Sequence, residues 1–300
     1  MFQKRKAFFW VVFLSFGLLW AFSASAATTA DEKNEEQKEQ KYLRVLRDES
    51  KRPTALQTAI VRCAPAEGSR LAATVDLVAA IHIADAAYYR QLNREFQKYD
   101  AVLYELVAAE ESSRPRAGAH VNNHPVSWLQ NMMKNLLDLE FQLQGIDYSR
   151  KNMVHADMSP KQLAQAMRER DESLLTLLWR MMGYSMTQQQ KQSDDAAAKW
   201  LSALWGKNRP LALKRLFADQ LVESEDMMAV LEGPRGSALI SGRNQVVIDT
   251  LRRELAGGKK QLAVFYGAGH MADLQKRLTK EFDLHPVGVR WLTAWDLKGE

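Results

Sequence analysis

Segments with strand-forming sequences lie near both ends of this 300-residue chain, and a long helical region separates them. A hairpin is predicted over residues 56–61 and 73–78, and short apolar strands are predicted at 101–104 and 262–266. The last predicted strand, 286–295, has too few neighbours to form a sheet by itself. We therefore predict an α/β (α+β) fold with one mixed central sheet built from both ends and a helical insert between them. The alternative is two independent domains.

Helices are predicted where apolar side chains recur at helical spacing. One begins after Ser159, which has the character of an N-cap and is followed by Pro160 in the first turn. Another covers residues 238–255 and ends at a glycine pair that begins with Gly257. The other predicted helices cover residues 88–99, 128–143, 196–205, 210–231 and 271–282, and the Gln-rich stretch 187–195 is predicted to be an exposed loop.

The first 26 residues have the three parts of a cleavable secretory signal peptide. Basic residues 4–6 precede an apolar stretch over 7–22, and the sequence Ala-Ser-Ala ends at Ala26. The alternative is an uncleaved membrane anchor, but the apolar stretch is shorter than the roughly 20 residues of a spanning helix. We expect a periplasmic or secreted protein with no stable membrane anchor after cleavage near Ala26. A polar and charged segment, 27–50, then precedes a single domain, 51–300.

Charge and cysteine content exclude several classes of site. The chain has a net charge of +5, and loss of the three basic residues of the predicted signal peptide leaves +2. A protein dedicated to nucleic acid would carry a concentrated basic face, so no nucleic-acid partner is expected. Cys63 is the only cysteine, which rules out an internal disulfide and a zinc cluster held by several thiolates.

Two strand–helix segments near opposite ends of the chain resemble each other. Both contain the sequence His-x-Ala-Asp directly after an apolar strand, with the histidines at His82 and His270. We interpret them as two related strand-His-helix-strand units that arose by duplication. Side chains just past the carboxyl end of a strand face the crevice where α/β proteins bind ligands, so the two histidines should converge if the units pack side by side. Asp85 and Asp273 are predicted N-caps; the alternative is that they orient the histidines.

Glu105 is the third candidate for this crevice, because it follows the apolar strand 101–104. Two imidazoles and one carboxylate with open positions for water can hold a divalent metal, and such an ion makes bound water nucleophilic near neutral pH. Arg243 could stabilise an oxyanion or clamp a carboxylate. The alternative is that His82 and His270 bond to backbone groups and that Glu105 pairs with Arg243. For the arginine, a surface salt bridge is a further alternative.

The remaining histidines give weaker signals. His120 and His124 are four residues apart, but they lie in a Pro/Gly/Asn-rich stretch where no helix would place them on one face. His155 is ambiguous, and His285 precedes a proline in a turn and is interpreted as structural. The sequence contains no Gly-rich phosphate loop, no serine nucleophile elbow and no Cys-x-x-Cys-His haem attachment site.

Four short motifs, taken in order, resemble the TraB/PrgY–GumN–Tiki family, which is similar to erythromycin-esterase and ChaN-like proteins. The resemblance covers roughly residues 71–297. The motifs lie at residues 79–82 with Glu105, at 145–148 with 154–158, at 241–244 (Ser-Gly-Arg-Asn) and at 267–270 (Gly-Ala-Gly-His). The family has a pair of Gly-x-x-His motifs; the second is intact here, whereas Ala79 replaces the glycine of the first.

The resemblance implies a metal-dependent, peptidase-like hydrolase that acts on a peptide or small-molecule substrate. It implies His82, Glu105 and His270 as ligands of a divalent metal such as Mn, Co or Zn, and Glu105 and Arg243 as catalytic residues. The ChaN-like similarity leaves a haem- or metal-binding protein as an alternative. A third alternative is a non-catalytic protein that binds a peptide or protein partner, with the methionine pairs at 132–133 and 181–182 on its surface.

Overall fold

The computed structural model describes residues 41–69, 71–107, 139–173, 203, 208–232 and 236–299. Some sequence predictions lie outside these residues. They are the signal peptide and its cleavage site, His120 and His124, most of the helix predicted over 128–143, the loop at 187–195, all but one residue of the helix at 196–205, and both methionine pairs. Within the described ranges, no helix is long and apolar enough to cross a bilayer.

The described residues form a mixed α/β structure around one large sheet. The strands are β1 (Leu43–Arg47), β2 (Pro53–Pro65), β3 (Thr74–Ala80), β4 (Ile83–Ala84), β5 (Ala101–Tyr104), β6 (Glu140–Phe141), β7 (Met153–His155), β8 (Gln261–Gly267) and β9 (Leu284–Asp296). The α-helices are α1 (Ala86–Glu95), α2 (Gln142–Gly145), α3 (Pro160–Glu169), α4 (Arg209–Glu232), α5 (Arg243–Ala256) and α6 (Met271–Phe282).

Seven strands share the large sheet in the order β1-β2-β3-β8-β5-β7, and β9 also pairs with β2. Strands β3, β8, β5 and β7 are parallel, whereas β1 and β9 run antiparallel to β2, and β2 runs antiparallel to β3. Residues 262–266 of β8 are at most 1% exposed, as expected for an apolar strand in the middle of a parallel sheet. Strands β4 and β6 form a separate two-stranded sheet.

The pairing of β3 with β8 confirms that one mixed sheet is assembled from both ends of the chain. It runs from Thr74 opposite Gln261 to Ala80 opposite Gly267. The predicted hairpin is confirmed as β2 and β3. The sheet begins earlier in the chain than predicted. Its first strand, β1, lies inside the segment 27–50, which was predicted to be polar and to precede the domain.

Several predicted helix ends are confirmed, whereas the helix predicted in the middle of the chain differs from the structure. Ser159 caps α3 through a reciprocal capping box with Gln162, and α5 ends at Gly257 as predicted. Of the helix predicted over 128–143, the described residues 139–143 contain strand β6 and the start of the single turn α2, and strand β7, which was not predicted, follows. Strand β7 has only three residues, too few for an alternating or apolar pattern to stand out in the sequence.

Candidate functional site

Four parallel strands end at the same edge of the sheet, and each is followed by a polar side chain. Ala80 of β3 lies opposite Gly267 of β8, and Tyr104 of β5 lies opposite both Phe265 and His155. The residues that follow these ends are His82, His270, Glu105 and Asp157 in the order β3, β8, β5, β7. Ligands of α/β proteins bind in the crevice at such an edge, so this is the candidate site.

The first turn of α5 contributes Arg243, whose guanidinium lies buried among the strand ends. Its side chain is 2% exposed. Nη2 donates to Glu105 Oε1 at 2.7 Å, while Nε and Nη2 donate to the two oxygens of Asp157 at 2.8 and 2.6 Å. A five-residue π-helical segment, Ala238–Gly242, leads directly into this residue. Such wide turns occur frequently at functional sites.

The Glu105 carboxylate is held ionised from two sides. Burial alone would raise its pKa, but Arg243, the two histidines and the backbone N–H of Gly267 lower it well below the usual range. The Gly267 N–H donates to Oε2 at 2.7 Å. The pKa of Arg243 lies above its usual range: burial alone would lower it, but the carboxylates of Glu105 and Asp157 outweigh that effect. Two carboxylates therefore surround one guanidinium, which gives these three groups a net charge of −1.

His270 is buried and neutral at physiological pH. Its Nδ1 lies 2.8 Å from Asn244 Oδ1, and its Nε2 lies 3.3 Å from Arg243 Nη1. Nε2 also lies 3.8 Å from Glu105 Oε1. Burial lowers the pKa of His270 to about 4, and the attraction of the Glu105 carboxylate does not compensate.

His82 is exposed and is held by a residue from a distant part of the chain. Its Nδ1 lies 3.1 Å from Oε1 of the buried Gln142 side chain, and Gln142 Nε2 donates to the Tyr148 hydroxyl at 3.0 Å. The backbone N–H of Gln142 also donates to the His82 carbonyl at 2.9 Å. Both the ring and the backbone of His82 are therefore fixed by the turn α2.

The side chains of His82, Glu105 and His270 meet beside Gly267. A Cβ atom on this glycine would lie 3.2 Å from Glu105 Oε2 and 3.9 Å from both His82 Nε2 and His270 Cδ2. The absence of a side chain at Gly267 thus leaves a space bounded by all three predicted metal ligands.

The donor set has the chemistry that a divalent metal requires. It offers two imidazoles and one ionised carboxylate, the buried charge is negative, and both histidines have Nδ1 beside an amide oxygen, as metal-ligating histidines commonly do. As placed, however, Arg243 Nη1 lies against His270 Nε2. Among the described residues, no three His, Cys, Asp or Glu side chains are close enough to hold one ion. Metal binding at this site would therefore require His270 Nε2 to exchange Arg243 for the ion.

The alternative interpretation of the histidines, Glu105 and Arg243 is correct in part. Glu105 does pair with Arg243, but this pair is buried, so the arginine is not in a surface salt bridge. The histidines bond to amide side chains rather than to backbone carbonyls. His155 Nε2 bonds to the Leu106 carbonyl at 2.6 Å, and the exposed His285 pairs with Asp283 at 2.8 Å.

The N-cap prediction is correct in position for Asp85 and wrong for Asp273. Asp85 precedes α1, but its carboxylate accepts from Lys214 Nζ and from the backbone N–H of Asp296 instead of capping the helix. Helix α6 begins directly after His270, so Asp273 lies inside its first turn. There its Oδ2 accepts from Asn244 Nδ2 at 2.8 Å, which links it to His270.

Sequence reasoning assigned no site role to Asp157 or Gln142. Asp157 follows a strand of the parallel sheet like the other site residues, but β7 is only three residues long and was not predicted. Gln142 fell within a predicted amphipathic helix, and its contact with His82 spans 60 positions, so no local pattern indicates it.

Comparison of the chain with protein-family models, with curated proteins and with solved structures found no match.

Proposed function

We propose that this protein is an exported hydrolase of the TraB/PrgY–GumN–Tiki type that cleaves a peptide or a small ester or amide. The observation that carries the proposal is the meeting of His82, Glu105 and His270 beside Gly267, next to a buried arginine. Nucleophile, base and charge-stabilising groups of a hydrolase must lie within reach of one reacting atom.

The residues divide the required tasks between them. His82 is exposed, and with a proton on Nδ1 toward Gln142 its Nε2 keeps a lone pair for a metal ion. Arg243 has five N–H groups, of which four have acceptors among the described residues: two on Asp157, one on Glu105 and one on His270. We assign to the remaining Nη1 N–H the stabilisation of negative charge that develops on a substrate oxygen.

A divalent metal (Mn, Co or Zn) forms part of the proposal, with His82, Glu105 and His270 as its ligands. When bound, such an ion supplies a water molecule with a pKa near neutrality. The negative charge of the Glu105–Asp157–Arg243 group favours a cation at this place, and the neutral state of His270 leaves it a lone pair for coordination.

We also propose that the two His-x-Ala-Asp units arose by duplication. The strands that precede the two histidines are direct neighbours and run parallel, and each histidine is followed by a helix and then a strand. The last strands of the units differ in their pairing, since β5 lies parallel to β8 whereas β9 lies antiparallel to β2.

A substrate screen tests the hydrolase proposal. Purified protein would be assayed against peptide, ester and amide libraries with Mn²⁺, Co²⁺ or Zn²⁺ and with EDTA. We expect metal-dependent turnover by wild type, and a loss of about 100-fold or more in His82→Ala and Glu105→Gln. The matched control is His285→Ala, which changes an exposed histidine and should retain full activity. Turnover that survives in His82→Ala and Glu105→Gln would contradict the proposal.

Export is tested separately. We expect the protein recovered from the periplasm or medium to begin at Ala27 when its intact mass is measured. Full-length protein retained in the membrane would contradict the signal-peptide prediction without affecting the site.

A second candidate function is a protein that binds a peptide or a metal without turnover. The contact of Arg243 Nη1 with His270 Nε2 favours it, because this contact engages a nitrogen that the hydrolase needs free. Stable peptide or metal binding in the same screen, with no product from any library, would support this candidate over the first.

A further inference from the structure

Asn244 touches the site without belonging to the predicted ligand set. Its side chain is 0% exposed, and it lies between His270 and α6. Nδ2 donates to Asp273 Oδ2 at 2.8 Å and to the His270 carbonyl at 3.2 Å. Oδ1 lies 2.8 Å from His270 Nδ1.

These partners fix which way round the amide sits. A carboxylate and a backbone carbonyl are acceptors only, so the amide nitrogen must face Asp273 and the His270 carbonyl. The amide oxygen must then face His270 Nδ1, which has to carry the proton. Asp273 is held in turn by Arg277, whose Nε donates to the same Oδ2 at 2.7 Å.

The opposite side of the imidazole ring leads to the same assignment. Arg243 Nη1 is a donor only, so His270 Nε2, 3.3 Å away, must act as acceptor. The alternative tautomer would place two donors against each other at Nε2 and two acceptors against each other at Nδ1. In a buried site each such mismatch is disfavoured, because neither group can turn to water for a partner.

We propose that Asn244 is a positioning residue that holds His270 as the Nδ1–H tautomer, with Asp273 fixing the orientation of the amide. The consequence, which rests on the proposed function, is that His270 always keeps a lone pair on Nε2, which faces Arg243 and is available to a metal ion. Asp273 thus acts on His270 through Asn244, the orienting role that the sequence left open as an alternative to a helix cap.

Nitrogen-15 NMR reads the tautomer directly. Protein with ¹⁵N-labelled histidine would be recorded at neutral pH in EDTA, with His270→Gln used to assign the resonances. We expect Nδ1 of His270 to show the shift of a protonated nitrogen and Nε2 that of an unprotonated one. An Nε2–H pattern in wild type would overturn the proposal. The measurement needs neither turnover nor metal, so an inactive protein with the expected tautomer would contradict only the hydrolase.

Variants show whether Asn244, and not only Arg243, sets the tautomer of His270. In Asn244→Leu we expect the two ring shifts of His270 to move toward each other, because Nδ1 loses its acceptor and both tautomers become populated. Unchanged shifts would show that Asn244 does not set the tautomer. In Asp273→Ala the Asn244 amide nitrogen keeps only the His270 carbonyl as acceptor, so we expect a smaller movement of the same two shifts, and unchanged shifts would show that Asp273 does not fix the amide.

Gln142→Leu is the matched control, since it removes an amide that contacts the other histidine. It should leave the His270 shifts unchanged. Movement of those shifts in Gln142→Leu as large as in Asn244→Leu would indicate a general disturbance of the site and would overturn the specific role. If Asn244→Leu does not fold, the wild-type spectrum and Asp273→Ala still decide the proposal.

Discussion

His82 and His270 follow neighbouring parallel strands within nearly the same short sequence, yet their environments differ. His270 is 6% exposed, its ring lies between Asn244 and Arg243, and burial lowers its pKa to about 4. His82 is exposed, and only Nδ1 of its ring has a hydrogen-bond partner among the described residues. The same motif thus yields one rigid, neutral imidazole and one with a nitrogen open to solvent, so the chemistry at the site is asymmetric.

The largest expected difference is in the free energy of unfolding, when the cation beside each histidine unit is removed. Arg243→Met removes the only cation bonded to Glu105 and Asp157 among the described residues and leaves two buried carboxylates. We expect the free energy of unfolding to fall by about 3–5 kcal/mol, measured by urea denaturation. Lys214→Met removes the cation beside Asp85. These two side chains are 11% and 22% exposed and only one carboxylate loses its partner, so the loss should be smaller, about 1–3 kcal/mol. Equal losses in both variants would contradict the asymmetry.

The pH dependence of stability tests the difference between the histidines. The pKa of His270 is about 4 in the folded protein, below its usual 6.5, so the unfolded chain takes up the proton first as pH falls. Its contribution is fully present above pH 6.5 and is lost on acidification toward pH 4. Glu105, with a usual value of 4.5, adds its own loss only below that pH.

We therefore expect the free energy of unfolding, measured in EDTA and plotted against pH, to fall by about 2 kcal/mol between pH 6.5 and 4.5 because of His270. His270→Gln should remove this part of the slope, and His82→Gln, the matched change at the exposed histidine, should keep it. A slope that disappears in His82→Gln and persists in His270→Gln would reverse the assignment.

Alanine substitutions at two glycines of the site should have smaller effects on stability, and these effects should differ from each other. An alanine at Gly145, in the turn that holds His82, would bring its Cβ within 2.5–2.7 Å of buried Tyr89 side-chain atoms and should destabilise the protein by about 1–3 kcal/mol. Alanine at Gly267 meets Glu105 Oε2 at 3.2 Å, so the destabilisation should be smaller.

Gly267→Ala should nevertheless weaken metal binding, because the methyl group fills the space between the ligands. Calorimetric titration with Co²⁺ would show this, with Gly288→Ala as a control in open surroundings. Unchanged affinity in Gly267→Ala would place the ion elsewhere.

The sequence was sufficient to predict the parts of the site that depend on local pattern. His82, Glu105 and His270 each follow an apolar strand, and strands of this kind end together in a parallel sheet, so their placement at one edge was predictable. The capping box of α3 and the glycine end of α5 were equally local.

Features that depend on distant contacts were not predictable. The burial of Arg243 depends on carboxylates 138 and 86 positions away, and nothing in its own helix distinguishes a buried pair from an exposed one. Strand β1 was missed because its sequence, Leu-Arg-Val-Leu-Arg, lies in a charged segment and is stabilised as a strand by pairing with β2.

A Co²⁺ titration followed by visible absorption tests whether the two histidines serve one metal site. Wild type, His82→Ala, His270→Ala and the control His285→Ala would be compared, each checked for folding by circular dichroism. We expect one equivalent of Co²⁺ in wild type and the control, and affinity lowered more than about 100-fold in both site variants. Wild-type affinity in either His82→Ala or His270→Ala, or no binding by wild type, would contradict a shared metal site.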